Sequence, residues 1–373
     1  MSLALSRRTL LQATGMLFTA SAISTKPLSA FAGEATASPA RLNLNENAWG
    51  PSPAVVPAIQ REFSRLSRYA DASAAQQFIE QIAAHERIPA DQVIPGEILG
   101  ALGLYLGTLG GPGGEFLYST PGYLALIDAA RSVGSIGAGV PLNATFENDL
   151  PALEGRINAH TRALYLINPH NPTGTASETS AFLRFLRSAS QRALAIVDEA
   201  YLEYAEDFQQ RSAVSLVRDG ANVLVFRTFD KIHGLAGLPI GYALVPRELA
   251  AALRKHGLGD AESLGRLNLA AASAALTDTA HIAHINRAVA TERTRWGAVL
   301  DELQLEHTHS QANFVYFKSR RPHAETAAAL RFHGIEVGRK FLPYEDWVRI
   351  TIGLPEENLR AQAALRTFVR ETI

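Results

Sequence analysis

The feature that most constrains this chain is a series of short apolar runs alternating with helix-like stretches. "EFLY" from Glu115, "RALYLI" from Arg162, "ALAIVD" from Ala193, "NVLVF" from Asn222 and "IGYALV" from Ile240 are too short for helices and close to continuously apolar. Such runs suit strands buried on both faces. With helical patterns between several of them, they predict an α/β fold: a three-layer α/β/α arrangement around a mostly parallel sheet. Ligands of such sheets lie outside the strand carboxyl ends, so the polar residues that close these runs are the ones to inspect.

Helical periodicity precedes the runs at residues 55–66, 74–86 and 97–109. Beyond Pro246 the texture changes to Ala- and Arg-rich helical stretches, residues 248–256 and 264–303. Two more strand-like runs follow, "NFVYF" from Asn313 and "WVRITIG" from Trp347, then a final helix from Pro355. This reads as a large domain over residues 54–250, a smaller α+β domain over 251–373, and an irregular Pro- and Asn-rich arm over 33–53.

Composition narrows the function. A formal net charge of -1 supplies no field to attract nucleic acid or an anionic membrane. The absence of cysteine excludes disulfides, thiolate nucleophiles and Cys-ligated zinc. His281 and His284 read as a solvated helix face, and no metal site is expected. At the start, "SRRTLLQ" from Ser6, an apolar run from Leu10 to Ile23 and "AFA" ending at Ala32 make residues 1–32 a twin-arginine signal peptide. The run is too short to span a bilayer. It implies a periplasmic protein, exported folded and carrying something bound.

Four strand-end features could carry chemistry. "NPHNPTG", residues 168–174, is dense in turn formers, which by itself makes it a turn. Asp198 in "VDEAY" is either a helix cap or a site carboxylate. Lys231, one of five lysines, lies where a desolvated amine can act as nucleophile and proton carrier. Arg349 in "WVRITIG" is either a snorkelling edge residue or a carboxylate clamp.

Taken in order, these motifs resemble the fold-type I aminotransferases that use pyridoxal 5'-phosphate, with a nearer likeness to the histidinol-phosphate aminotransferase group. "NENAWGPSP" from Asn45, "RYAD" from Arg68, "QANFVYF" from Gln311 and "RITIGLPEEN" from Arg349 extend the resemblance over residues 42–365. It implies amino transfer, in ping-pong fashion, between an amino acid or amino alcohol phosphate and a 2-oxo acid. Asp198 would pair with the pyridine nitrogen, Asn171 and Tyr201 with the ring hydroxylate, and Tyr123 would stack on the ring. Lys231 would hold the cofactor as an imine and carry the proton. Gly96, Glu97 and Thr228 would face the phosphate, and Tyr69 would reach the phosphate of a neighbouring subunit, implying a homodimer. Arg349, with Asn313 and Trp49, would serve the substrate.

The chain departs from that pattern at the phosphate. The family has serine before the lysine and arginine eight residues after it; here Asp230 and Pro239 stand in those places, and the glycine-rich anchor loop is reduced to "VIPGEIL", residues 93–99. A carboxylate within about 5 Å of a phosphate dianion costs several kcal/mol, and loss of an arginine contact roughly another 1.5 to 3 kcal/mol. Compensation is open to the Gly96 and Glu97 amides, to the Thr228 hydroxyl, and to the charge of Arg227 or His233. Other reactions on the same fold (decarboxylation, lyase or oxidase chemistry) and a non-catalytic binder are the alternative readings.

Overall fold

The computed structural model describes residues 39–370; the expected signal peptide and the first part of the arm lie outside the described residues. Eleven strands are labelled in chain order among them: β1 Ala40–Leu42, β2 Val93–Pro95, β3 Glu115–Thr120, β4 Ile136–Pro141, β5 Thr161–Ile167, β6 Leu194–Asp198, β7 Val223–Thr228, β8 Gly241–Leu244, β9 Phe314–Lys318, β10 Ile335–Val337 and β11 Trp347–Thr351. Seven of them form one sheet in the order β2-β8-β7-β6-β5-β3-β4. β4, β3, β5, β6 and β7 are mutually parallel, while β8 runs antiparallel between β7 and the edge strand β2. The architecture is the α/β fold the apolar runs predict.

Alternation along the strands divides the core. Leu164 and Leu166 of β5 pack with Phe182, Phe185 and Val197 on one face, and Ala163, Tyr165 and Ile167 pack with Leu102, Phe116 and Ile196 on the other. Successive side chains of a strand point to opposite faces, so a strand apolar at every position is covered by helices twice. Each such Leu, Ile or Phe stabilises the fold by roughly 1.5–3 kcal/mol. A third cluster surrounds the antiparallel pair β9 and β11, with Trp296, Phe314, Phe317, Val348 and Ile350 at its centre.

Several elements differ from the sequence expectation. The arm is not wholly irregular: β1 pairs in parallel with β10, Ala40 opposite Ile335, a pairing across nearly the whole chain with no local signal. The helical stretch at 264–303 is two helices, Arg266–Thr277 and Thr279–Glu302, because Asp278 ends the first and caps the second by accepting from the His281 N–H at 3.0 Å. The "VIPGEIL" segment contributes β2 before opening the helix Ile98–Thr108. The first three helices are α1 Val55–Glu62, α2 Ala72–Glu86 and α3 Ile98–Thr108.

The loop of residues 229–240 between β7 and β8 carries Lys231. Phe229, Ile232 and Leu235 are buried, which pins the loop and leaves the lysine between them half-buried. Gly234 allows the arm to cross close by: its φ is +71°, and a Cβ there would lie 2.6 Å from the carbonyl carbon of Gly50. Asn47 clamps the same crossing by donating from Nδ2 to the Ile232 carbonyl at 2.8 Å.

Candidate active site

A cavity of about 660 Å³ opens at the carboxyl ends of β5, β6 and β7. Its walls bring together Asn171, Asp198, Tyr201, Thr228 and Lys231 from those strand ends, Glu97 and Tyr123 from two flanking turns, and Arg349 from β11. Residues spread over more than 250 positions meet because ladder register places Ile167, Asp198 and Phe226 side by side.

Asp198 is buried, and its two oxygens have separate partners. Oδ2 accepts from the Tyr165 hydroxyl at 2.7 Å and Oδ1 from the Ala200 N–H at 3.0 Å. Burial pushes its carboxyl up, and those bonds together with the Lys231 charge oppose the shift. A carboxylate held this way suits a cationic partner in the cavity. Tyr201 receives two amides: Asn45 Nδ2 at 3.1 Å and Asn171 Nδ2 at 3.4 Å both donate to its hydroxyl oxygen. Its own O–H is thereby left to donate into the cavity.

Arg349 is buried on β11 and has no acidic partner among the described residues. Nη1 donates to Asn171 Oδ1 at 2.5 Å and Nη2 to the Asn43 carbonyl at 2.8 Å, while Nε has no partner. Its guanidinium lies against Phe314 and Phe341, 5.5 Å and 5.2 Å from the ring centres. Burial lowers its pKa from the ordinary arginine value, yet a guanidinium stays charged throughout the accessible range. A buried cation lacking a counter-ion fits an anionic ligand.

The remaining expectations divide. Gly96 donates its N–H to the Gly241 carbonyl at 2.8 Å and lies in the adjoining cleft with Pro239. Tyr69 is 79% exposed and stands outside the cavity of its own chain. Asn313 and Trp49 do not form the cavity wall. Asn313 is buried and donates from Nδ2 to the carbonyls of Asn45 and Glu46 at 3.0 and 3.2 Å. Trp49 packs against the third core cluster. Asn313 acts on the arm residues that line the cavity.

The expected replacement cations are not there. Arg227, 2% exposed, lies between Glu86 at 3.1 Å and Glu199 at 3.0 Å. Thr228 lines the cavity, so strand alternation sends its neighbour Arg227 to the opposite face. His233 pairs with Glu203 at 3.5 Å. Sequence reasoning also missed Asn43, Asn45, Arg339 and Phe341 as neighbours of the cavity; Asn45 lay inside a recognised motif, but the last two sit in a loop with no local signal.

Wall chemistry fits the ring of pyridoxal phosphate: Asp198 for a protonated pyridine nitrogen, Tyr201 and Asn171 for a ring oxygen, Lys231 for the carbonyl carbon. At the phosphate end it offers Thr228 and the unpaired first amides of α3, with Glu97 and Asp230 beside them.

Comparison with known proteins agrees with that geometry. The family described as aminotransferase class I and II matches residues 39–364. The chain is 34% identical to a histidinol-phosphate aminotransferase of Symbiobacterium thermophilum over 340 residues, 89% of this chain and 91% of that protein. It is 33% identical to an aromatic amino acid aminotransferase of Cutibacterium acnes over 337 residues, 88% and 92% of the two chains. The crystal structure of histidinol-phosphate aminotransferase from Sinorhizobium meliloti in complex with pyridoxal-5'-phosphate superimposes with a TM-score of 0.80 at 28% identity, covering 90% of this chain and 92% of that one. Fold, cavity and sequence converge, and the chain belongs to the class I and II aminotransferase family, a pyridoxal-phosphate-dependent aminotransferase.

Proposed function

We propose that this aminotransferase acts on an amino acid whose α-carboxylate docks on Arg349, with Lys231 as the covalent anchor of the cofactor. The observation that carries the reading is the unpaired Arg349 Nε in a cavity shared with Asp198, Tyr201 and Lys231. Bound pyridoxal phosphate supplies an electron sink for charge developing at the substrate α-carbon. Asp198 holds the ring nitrogen protonated, Tyr201 donates to the ring oxygen, and Lys231 Nζ moves the proton at the α-carbon. Arg349 and Asn171 orient the carboxylate so that the α-hydrogen faces Lys231.

Phe341, Tyr123 and Leu44 on the cavity wall favour an aromatic or other large side chain, in line with the relatives named above. Tyr69, exposed beside Phe63 and Leu66 (54% and 60%), supports a homodimer in which Tyr69 serves the partner's site. Export to the periplasm as a folded protein, on the residues 1–32 pattern, completes the reading, as does the division at residue 250. The test is product analysis. Keto acid formed only when an acceptor 2-oxo acid is present supports it; ammonia or carbon dioxide released without an acceptor overturns it.

A further inference from the structure

The α3 side of the cavity carries Glu97, at the helix start, and Asp230, beside Lys231. Asp230 Oδ1 is buried without a hydrogen-bond partner. Charged and titratable groups facing Glu97 are Asp198 from β6, Asp230 and Lys231 from the loop after β7, and Tyr123 from the turn after β3. Lys231 is the one cation in that set. Arg227 and His233 are committed to buried carboxylates, and Pro239 faces the adjoining cleft. Burial, helped by Asp230 and opposed by Lys231, pushes the Glu97 carboxyl up to about 7. Burial raises Asp230 as well, against the Lys231 charge.

The ring end of the cavity is taken by Asp198, Asn171 and Tyr201, and Arg339 and Arg349 lie on the wall formed by β11 and the residues after β10, so a phosphate on the α3 side shares its wall with these two carboxylates. A phosphate monoester sheds its second proton near pH 6. A dianion beside two carboxylates is strongly disfavoured at low dielectric, and one added proton turns a repulsive contact into a hydrogen bond.

We infer that the Glu97–Asp230 pair selects the protonation state of the bound phosphate: pyridoxal phosphate binds with uptake of one solvent proton, held between a phosphate oxygen and a carboxylate. The inference rests on the reading that Lys231 carries the cofactor. By linkage, affinity then falls about tenfold per pH unit where the free ligand is a dianion and the complex keeps its extra proton.

Absorbance titration of the cofactor-free full chain tests this, with pyridoxal phosphate and with unphosphorylated pyridoxal from pH 7 to 9. Pyridoxal corrects for proton traffic at Lys231 and the ring. The expected result is that pyridoxal phosphate weakens about tenfold more per pH unit than pyridoxal does. Asp230→Asn should tighten pyridoxal phosphate about tenfold or more relative to pyridoxal at pH 8.5, the ratio cancelling any change at Lys231; Glu97→Gln should flatten the difference in slope. Equal slopes for the two ligands, or no tightening in folded Asp230→Asn, would overturn the inference. If neither ligand reacts at Lys231, the cofactor reading itself fails, which is a separate outcome.

Discussion

Arg349 donates from Nη1 to Asn171 Oδ1 at 2.5 Å, tying β11 to the turn after β5. Asn171 in turn donates to Tyr201, so one amide links the residue assigned to the substrate carboxylate with a residue assigned to the ring. The site is a connected unit, and its parts should not respond independently to mutation.

Arg349→Lys keeps the charge but loses the planar fork. Steady-state kinetics should show kcat/KM for the amino donor reduced by about 10- to 100-fold, from losing roughly 1.5–3 kcal/mol of charged hydrogen bonding. Cofactor absorbance should shift with it, because Arg349 reaches the ring contact Tyr201 through Asn171. Asn171→Ala, which removes both links, should lower kcat/KM and shift the cofactor spectrum together; a variant that alters one without the other would contradict the connection.

Arg227 is held by Glu86 and Glu199 away from solvent. Arg227→Ala leaves two buried carboxylates without their cation, which destabilises by roughly 3–5 kcal/mol. Denaturant unfolding should show a midpoint shift of that order. A shift under about 1 kcal/mol would mean that the remaining bonds, Tyr242 and Ser212 to these carboxylates, suffice.

Glu203 predicts an acid-sensitive component of stability. Burial alone would raise its carboxyl, but the facing His233, helped by Arg227 and His85, more than reverses this and brings it to about 2. A depressed folded-state value means stability fully present above the unfolded carboxyl value of about 4.3 and lost as pH falls toward 2. Melting temperature between pH 5 and 2.5 should therefore fall more steeply for the natural chain than for Glu203→Gln. The reverse order would place the acid sensitivity elsewhere.

Much of this was legible in the sequence, for a physical reason. Central strands β5, β6 and β7 are covered on both faces, so their apolar runs are continuous and their polar ends, Asp198 among them, mark the cavity. β4, "IGAGVP", is an edge strand with two glycines and carries no such run. β1 exists because Ala40 finds Ile335, a contact no window of neighbouring residues reveals. The place of Arg227 was readable in principle: two-residue alternation on β7 puts it opposite Thr228. Asn313 and Trp49 stand behind the cavity wall, and a motif match says that a residue matters without saying whether it touches the ligand or holds what does.

The central claim is that Lys231 remains a working cofactor anchor despite its acidic neighbour Asp230. The most direct measurement is borohydride reduction of the protein saturated with pyridoxal phosphate, followed by mass mapping of the modified lysine. Reduction should abolish a visible band and leave a single phosphopyridoxyl group on Lys231. No reducible band at saturation, or modification confined to another lysine, would contradict it.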